Sequence, residues 1–146
     1  MYSRILVTLE NTPADEWIMA HVRKLAAHCG ASVVLIHVAD GWAARYKDSL
    51  TLRESEEMRE DRSYLERRRG ELAASGIETE ALLAAGDPAR EIVEAAEREK
   101  ADLIAMATHG HGFVNDLVRG SVANEVRHRT RVPVLLVRDP AGPSTA

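Results

Sequence analysis

Four stretches of this chain are runs of consecutive apolar residues, rich in β-branched side chains: Ile5-Leu6-Val7, Val33-Val34-Leu35-Ile36, Leu103-Ile104-Ala105-Met106 and Val134-Leu135-Leu136-Val137. A strand with one wet face alternates apolar and polar residues, so continuous runs read as strands covered on both faces, which is the condition of a parallel sheet. Strands are expected at residues 4–9, 32–38, 102–107 and 132–137, the last bounded by Val132 and Val137 with Pro133 near its start. A fifth, weaker strand is expected at residues 77–84, where Ile77, Thr79, Ala81 and Leu83 alternate with polar or small residues.

The segments between these runs carry helical spacing. Thr12 reads as an N-cap, with Pro13 in the first turn and Asp15 as a third-position acid; Ile18, Val22, Leu25, Ala26 and Cys29 then form one stripe that Gly30 ends. Residues 52–75 form a long charged helix whose seam, Met58, Leu65 and Leu72, recurs every seven residues and is read as packing on the sheet. Asp87 caps a third helix with Pro88 in its first position and Ile92, Val93 and Ala96 turned inward, and Val118, Val122 and Val126 mark a fourth. Residues 40–51 lack a period and read as a loop, in which Trp42 and Tyr46 have no assignable role. Five strands alternating with four helices make an α/β fold, an open five-stranded parallel sheet with helices on both faces, of Rossmann-like type. One domain over residues 1–139 and a flexible tail at 140–146 account for the chain.

The segment after the fourth strand has the layout of a phosphate cradle. Gly110 and Gly112 allow backbone amides to approach an anion, and Gly120-Ser121 is read as opening the last helix, where unpaired N–H groups and the helix dipole favour negative charge. In open parallel sheets ligands bind beyond the carboxyl ends of the strands where the strand order reverses, which makes Glu10 and Gly110 neighbours across one crevice.

Composition removes other classes. With 45% apolar and 29% charged residues over 146 positions, the chain is neither disordered nor membranous, and no apolar run is long enough to span a bilayer. The N-terminus enters a strand at once, leaving no room for a signal peptide, so a cytoplasmic location is expected. A net charge of −4 argues against a nucleic-acid surface; Arg67, Arg68 and Arg69, and separately Arg127, His128, Arg129 and Arg131, read as solvated faces. The single cysteine, Cys29, reads as a small core residue. His109 and His111 invite a metal site or a His-x-Gly-His nucleotidyltransferase signature, but a metal wants three or four ligands with only Asp116 nearby, and that signature belongs after the first strand. No residue pair announces a base or nucleophile, so no catalytic residue is assigned.

From Ile5 to Val137 the chain resembles the universal stress protein family, whose ATP-binding members carry a glycine, two residues, a glycine, nine residues and then Gly-Ser or Gly-Thr. Gly110, the nine residues 111–119, and Gly120-Ser121 fit that spacing, with Ala107 in place of the first glycine. Glu10 stands where those members place an aspartate. The resemblance implies the adenine nucleotide α-hydrolase-like variant of the fold and a cytoplasmic module that binds ATP, or AMP or ADP, with Mg2+ carried by the phosphates. It places Thr8, Leu9 and Glu10 at the ribose and base, the main chain of Val38 at adenine, and Met106 and Ala107 in the floor. His109, Gly110, His111 and Gly112 run along the phosphates, with Gly120, Ser121 and Val122 closing the cradle. It also implies a homodimer through the last strand and a protein partner of unknown identity. A nucleotide-free dimeric interaction module and a slow ATP hydrolase using His109 or His111 remain the alternatives.

Overall fold

The computed structural model describes residues 1–40, 51–108 and 116–140. Trp42, Tyr46, residues 109–115 and the tail from 141 lie outside the described residues. The order of elements is β1 (Arg4–Thr8), α1 (Ala14–Cys29), β2 (Ser32–Asp40), α2 (Thr51–Ala74), β3 (Thr79–Gly86), α3 (Pro88–Arg98), β4 (Leu103–Thr108), α4 (Asp116–Arg129) and β5 (Val134–Arg138). The strands form one parallel sheet in the order β3-β2-β1-β4-β5, as the unbroken apolar runs require.

Alternation along the strands divides the interior in two. Ile5, Val7, Val33, Leu35, Leu103 and Ala105 join Ile18 and Val22 of α1 and Leu65 and Leu72 of α2 on one face. Leu6, Val34, Ile36, Ile104 and Met106 join Ile92 and Ala96 of α3 and Ala123 and Val126 of α4 on the other. The central strands β1, β2 and β4 are thus covered by helices on both faces, while the edge strands β3 and β5 stay partly exposed. At the N-terminal edge of the sheet Asp102 accepts the Ser3 amide at 2.9 Å and the Arg4 amide at 3.0 Å, and Arg4 bridges to Glu99 at 2.8 Å and Glu80 at 3.0 Å.

Several local expectations are corrected. Thr12 does not cap α1: Pro13 occupies that position without a side-chain bond, and Asp15 turns into the protein to serve the preceding loop. Arg68 is buried, whereas Arg67 and Arg69 beside it are not, because steps of 100° around a helix let one residue of three face inward, here between Leu65 and Leu72. Gly120-Ser121 does not open α4, which begins at Asp116, so both lie in its second turn. Asp102 precedes β4 and caps β1 instead of extending its own strand. The Asp87 cap stands as expected, accepting the Arg90 amide at 3.0 Å, and Gly30 ends α1 at φ 68°, the left-handed conformation that suits glycine. Cys29 is half-buried against the first core.

Candidate functional site

β1 is the hinge of the topology. From it the chain crosses over α1 to β2 on one side, while its other neighbour, β4, is reached through α3 on the opposite face of the sheet. Val7 pairs with Ala105 and Thr8 with Ile36, so β1, β2 and β4 lie side by side at the point where the strand order reverses.

The β1 lip is built from Thr8, Leu9 and Glu10. Thr8 and Leu9 are buried and Glu10 is half-buried. Pairing continues one residue past β1, with the Leu9 amide donating to the Ile36 carbonyl at 2.8 Å. One backbone group in each of Leu9, Glu10 and Asn11 is then held by a side chain. His37 Nδ1 lies 2.8 Å from the Leu9 carbonyl and donates to it. Asp15 accepts the Glu10 amide at 3.0 Å and the Asn11 amide at 2.8 Å, which fixes Asn11 at φ 59°. Asp15 is only 1% exposed, a position that a carboxylate tolerates because its oxygens are fully engaged.

Behind these groups stands α2. Tyr64 donates its hydroxyl to Asp15, and Arg68 Nε donates to the Tyr64 oxygen at 3.1 Å. Arg68 also pairs with Glu16 and, at 3.0 Å, with Glu71. Burial, reinforced by the bond to Asp15, pushes the Tyr64 phenol up to about 12 against the opposing pull of Arg68. For Arg68 burial works to lower the pKa, but bonds to Glu16, Tyr64 and Glu71 outweigh it and raise the value, so the guanidinium stays charged. One turn earlier Asp61 lies 3.6 Å from His37 Nε2.

The opposite lip is Met106 and Ala107. Successive strand residues face opposite ways, so Met106 packs into the second core while Ala107 lies half-buried against the first. Val38 is half-buried, two residues beyond the partner of Thr8 and therefore near the level of Glu10. Ser121 is exposed and Val122 half-buried against the second core. His109, Gly110, His111 and Gly112 lie outside the described residues, as does the loop that would complete the cradle. The structure thus brings Thr8, Leu9, Glu10, Val38, Met106 and Ala107 to one edge of the sheet.

Sequence reasoning passed over His37, Asp15, Asp61, Tyr64 and Arg68. The available signal was the inward face of α2: Tyr64 and Arg68 are one turn apart, beside the Leu65 and Leu72 seam. Among the described residues no group of three His, Cys, Asp or Glu stands together as a metal site, and no helix is long and apolar enough to cross a membrane.

The family model described as "Universal stress protein family" matches residues 1–138. The chain belongs to the universal stress protein family. Among relatives, it is 27% identical to universal stress protein MJ0577 of Methanocaldococcus jannaschii, over 94% of this chain and 96% of that one. It is 34% identical to a universal stress protein of Thermus aquaticus, over 94% of this chain and all of the relative. The solved MJ0577 structure superposes with a TM-score of 0.84, covering 97% of this chain and 99% of that one. Two further members share the fold: an Archaeoglobus fulgidus protein in complex with dAMP (23% identity, TM-score 0.70, 93% and 98% coverage) and a universal stress protein in complex with cAMP (20%, 0.69, 94% and 97%).

Proposed function

We propose that this universal stress protein binds an adenine nucleotide, ATP with Mg2+ in the first instance, in the crevice beyond β1 and β4, and serves as a cytoplasmic sensing or regulatory module in stress response. The observation that carries this reading is the reversal of strand order between β1 and β4, the place where open parallel sheets bind ligands, with Glu10 just after one strand and Ala107 near the end of the other. The dAMP and cAMP complexes of fold neighbours support an adenine ligand. In this reading the Glu10 carboxylate accepts hydrogen bonds from ribose or base hydroxyl and amine groups, and the Val38 main chain meets adenine. His109, Gly110, His111 and Gly112 follow the phosphates into the first turn of α4, whose unpaired amides favour anions, while Gly120, Ser121 and Val122 flank them from the second turn. Mg2+ rides on the phosphates, keeping several waters.

Native mass spectrometry of freshly purified protein tests this. A nucleotide-sized adduct, restored by ATP and Mg2+ after stripping and lost in Gly120→Trp, is the expected result. No detectable binding at millimolar ATP and Mg2+ overturns it.

One observation favours a second reading, a nucleotide-free dimeric interaction module. β5 is a sheet edge, and Leu136 on it is 40% exposed. Pairing that edge with a second copy satisfies its free backbone groups and covers Leu136. A bare dimer in the same spectra, unchanged by added ATP, selects this reading; a monomer at micromolar concentration excludes it.

A further inference from the structure

The turn after β1 is held at one backbone group in each of three consecutive residues: the Leu9 carbonyl by His37, and the Glu10 and Asn11 amides by Asp15. Asp15 is itself held from α2, where Tyr64 donates to it with Arg68 behind, and Asp61 of the same helix stands 3.6 Å from His37 Nε2, beyond hydrogen-bond distance. Asp61, Tyr64 and Arg68 follow one another at intervals of three and four residues, so they share one face of α2. That face is anchored by Leu65 and Leu72, each 2% exposed in the first core. Arg68 is fixed a third time by Glu16 of α1 and Glu71 of its own helix. Two guanidinium groups also lie over the one ring, Arg68 5.3 Å and Arg67 5.2 Å from the Tyr64 ring centre.

We propose that α2 is the positioning element of the crevice: through Tyr64 to Asp15 it sets the backbone of Glu10 and Asn11, and so decides where the Glu10 carboxylate meets a ligand. The proposal rests on the reading of the crevice as an adenine-nucleotide site. A simple core role would need none of this wiring, because apolar contact of Leu65 and Leu72 already docks the helix. The polar groups on the same face reach past the core to the loop after β1, on the Glu10 side of the crevice. A buried hydrogen-bonded network of this kind has few alternative arrangements, so a shift of α2 is passed to the turn.

Tyr64→Phe tests the relay, since it keeps the ring packing and removes only the hydroxyl. Glu66→Gln, on the exposed face of the same helix where it pairs with Arg69, is the control. The first readout needs no ligand: hydrogen exchange of the Glu10 and Asn11 amides, compared with Leu6 and Val7 in the same strand. Tyr64→Phe is expected to speed the two loop amides about tenfold while the strand amides stay protected. The second readout is calorimetric titration with ATP and magnesium. Tyr64→Phe weakens binding several-fold, Glu66→Gln does not, and Tyr64→Phe adds little once Glu10→Gln is present, because both act through one carboxylate. Unchanged exchange at Glu10 and Asn11 overturns the proposal. So does faster exchange with unchanged affinity in a protein that binds ATP, which reduces the network to a structural brace. If the wild type binds no ATP, the nucleotide reading fails and the positioning of a ligand site fails with it, while the exchange readout still reports whether α2 holds the turn.

Discussion

Asp102 joins two strands by their first residues, and its removal has a size and a pH signature that can be worked out. Its carboxylate accepts the Ser3 amide with both oxygens, at 3.1 and 2.9 Å, and the Arg4 amide at 3.0 Å. A hydrogen bond to a charged group contributes about 1.5–3 kcal/mol, but Ser3 is exposed and its amide rehydrates when released, so the low end applies. Asp102→Ala is therefore expected to cost about 2 kcal/mol and Asp102→Asn, which keeps one acceptor oxygen, about half that. With a urea slope of roughly 1–3 kcal/mol per molar, the alanine variant unfolds at a midpoint lower by about 1 M. Burial pushes the Asp102 carboxyl up, but the Arg4 and Ser3 amides outweigh it and hold the folded value below the ordinary one. A depressed folded pKa gives stability that is complete above the unfolded value, near 3.9, and is lost as pH falls through the folded value. The gap between wild type and Asp102→Asn, measured by urea unfolding, should stand at pH 7 and narrow below about pH 4. A gap that is absent at pH 7, or equally large in strong acid, refutes the reasoning.

Two further outcomes follow from geometry already described. Tyr64 should ionise near 12 in the folded protein, in a spectrophotometric titration where Tyr64→Phe removes its step; its raised value means the stability it contributes is complete below pH 10 and lost as pH rises through 12. Gly86 sits at φ 131°, and a Cβ there would meet Glu91 Oε1 at 3.1 Å, so Gly86→Ala should cost about 1–3 kcal/mol in thermal unfolding through backbone strain, with the long side chains moving aside.

Much of the fold could be read from the chain because its central strands are buried on both sides: unbroken runs such as Val33 to Ile36 have no other comfortable home, and Asp87-Pro88 or Gly30 mark helix ends by local chemistry alone. Strand order was reachable only through the general behaviour of parallel sheets. What escaped reading was long-range polar pairing. Nothing around Asp15 tells that it points inward, since its partner Tyr64 lies 49 residues away. Arg68 looked like one of three solvated arginines because a run of like charges hides which one faces the core. Glu10 could be placed just past β1 and Ala107 near the end of β4 from the apolar runs alone, whereas the beginning of α4 at Asp116 was misplaced, since Gly120-Ser121 offers a plausible start that the backbone does not use.

The central place of β1 also shapes how the chain can fold as it leaves the ribosome. Its first neighbour, β2, arrives within 28 residues of sequence, pairing Arg4 with Ser32, but its second, β4, pairs Ile5 with Leu103 and cannot arrive until most of the chain has been made. Until then the Ile5-Leu6-Val7 backbone has one open side in an apolar strand, the kind of edge that recruits other chains. A nascent or prematurely ended chain of this protein is thus a natural client for chaperones, and the release of that burden comes in a single late step, when β4 closes the middle of the sheet.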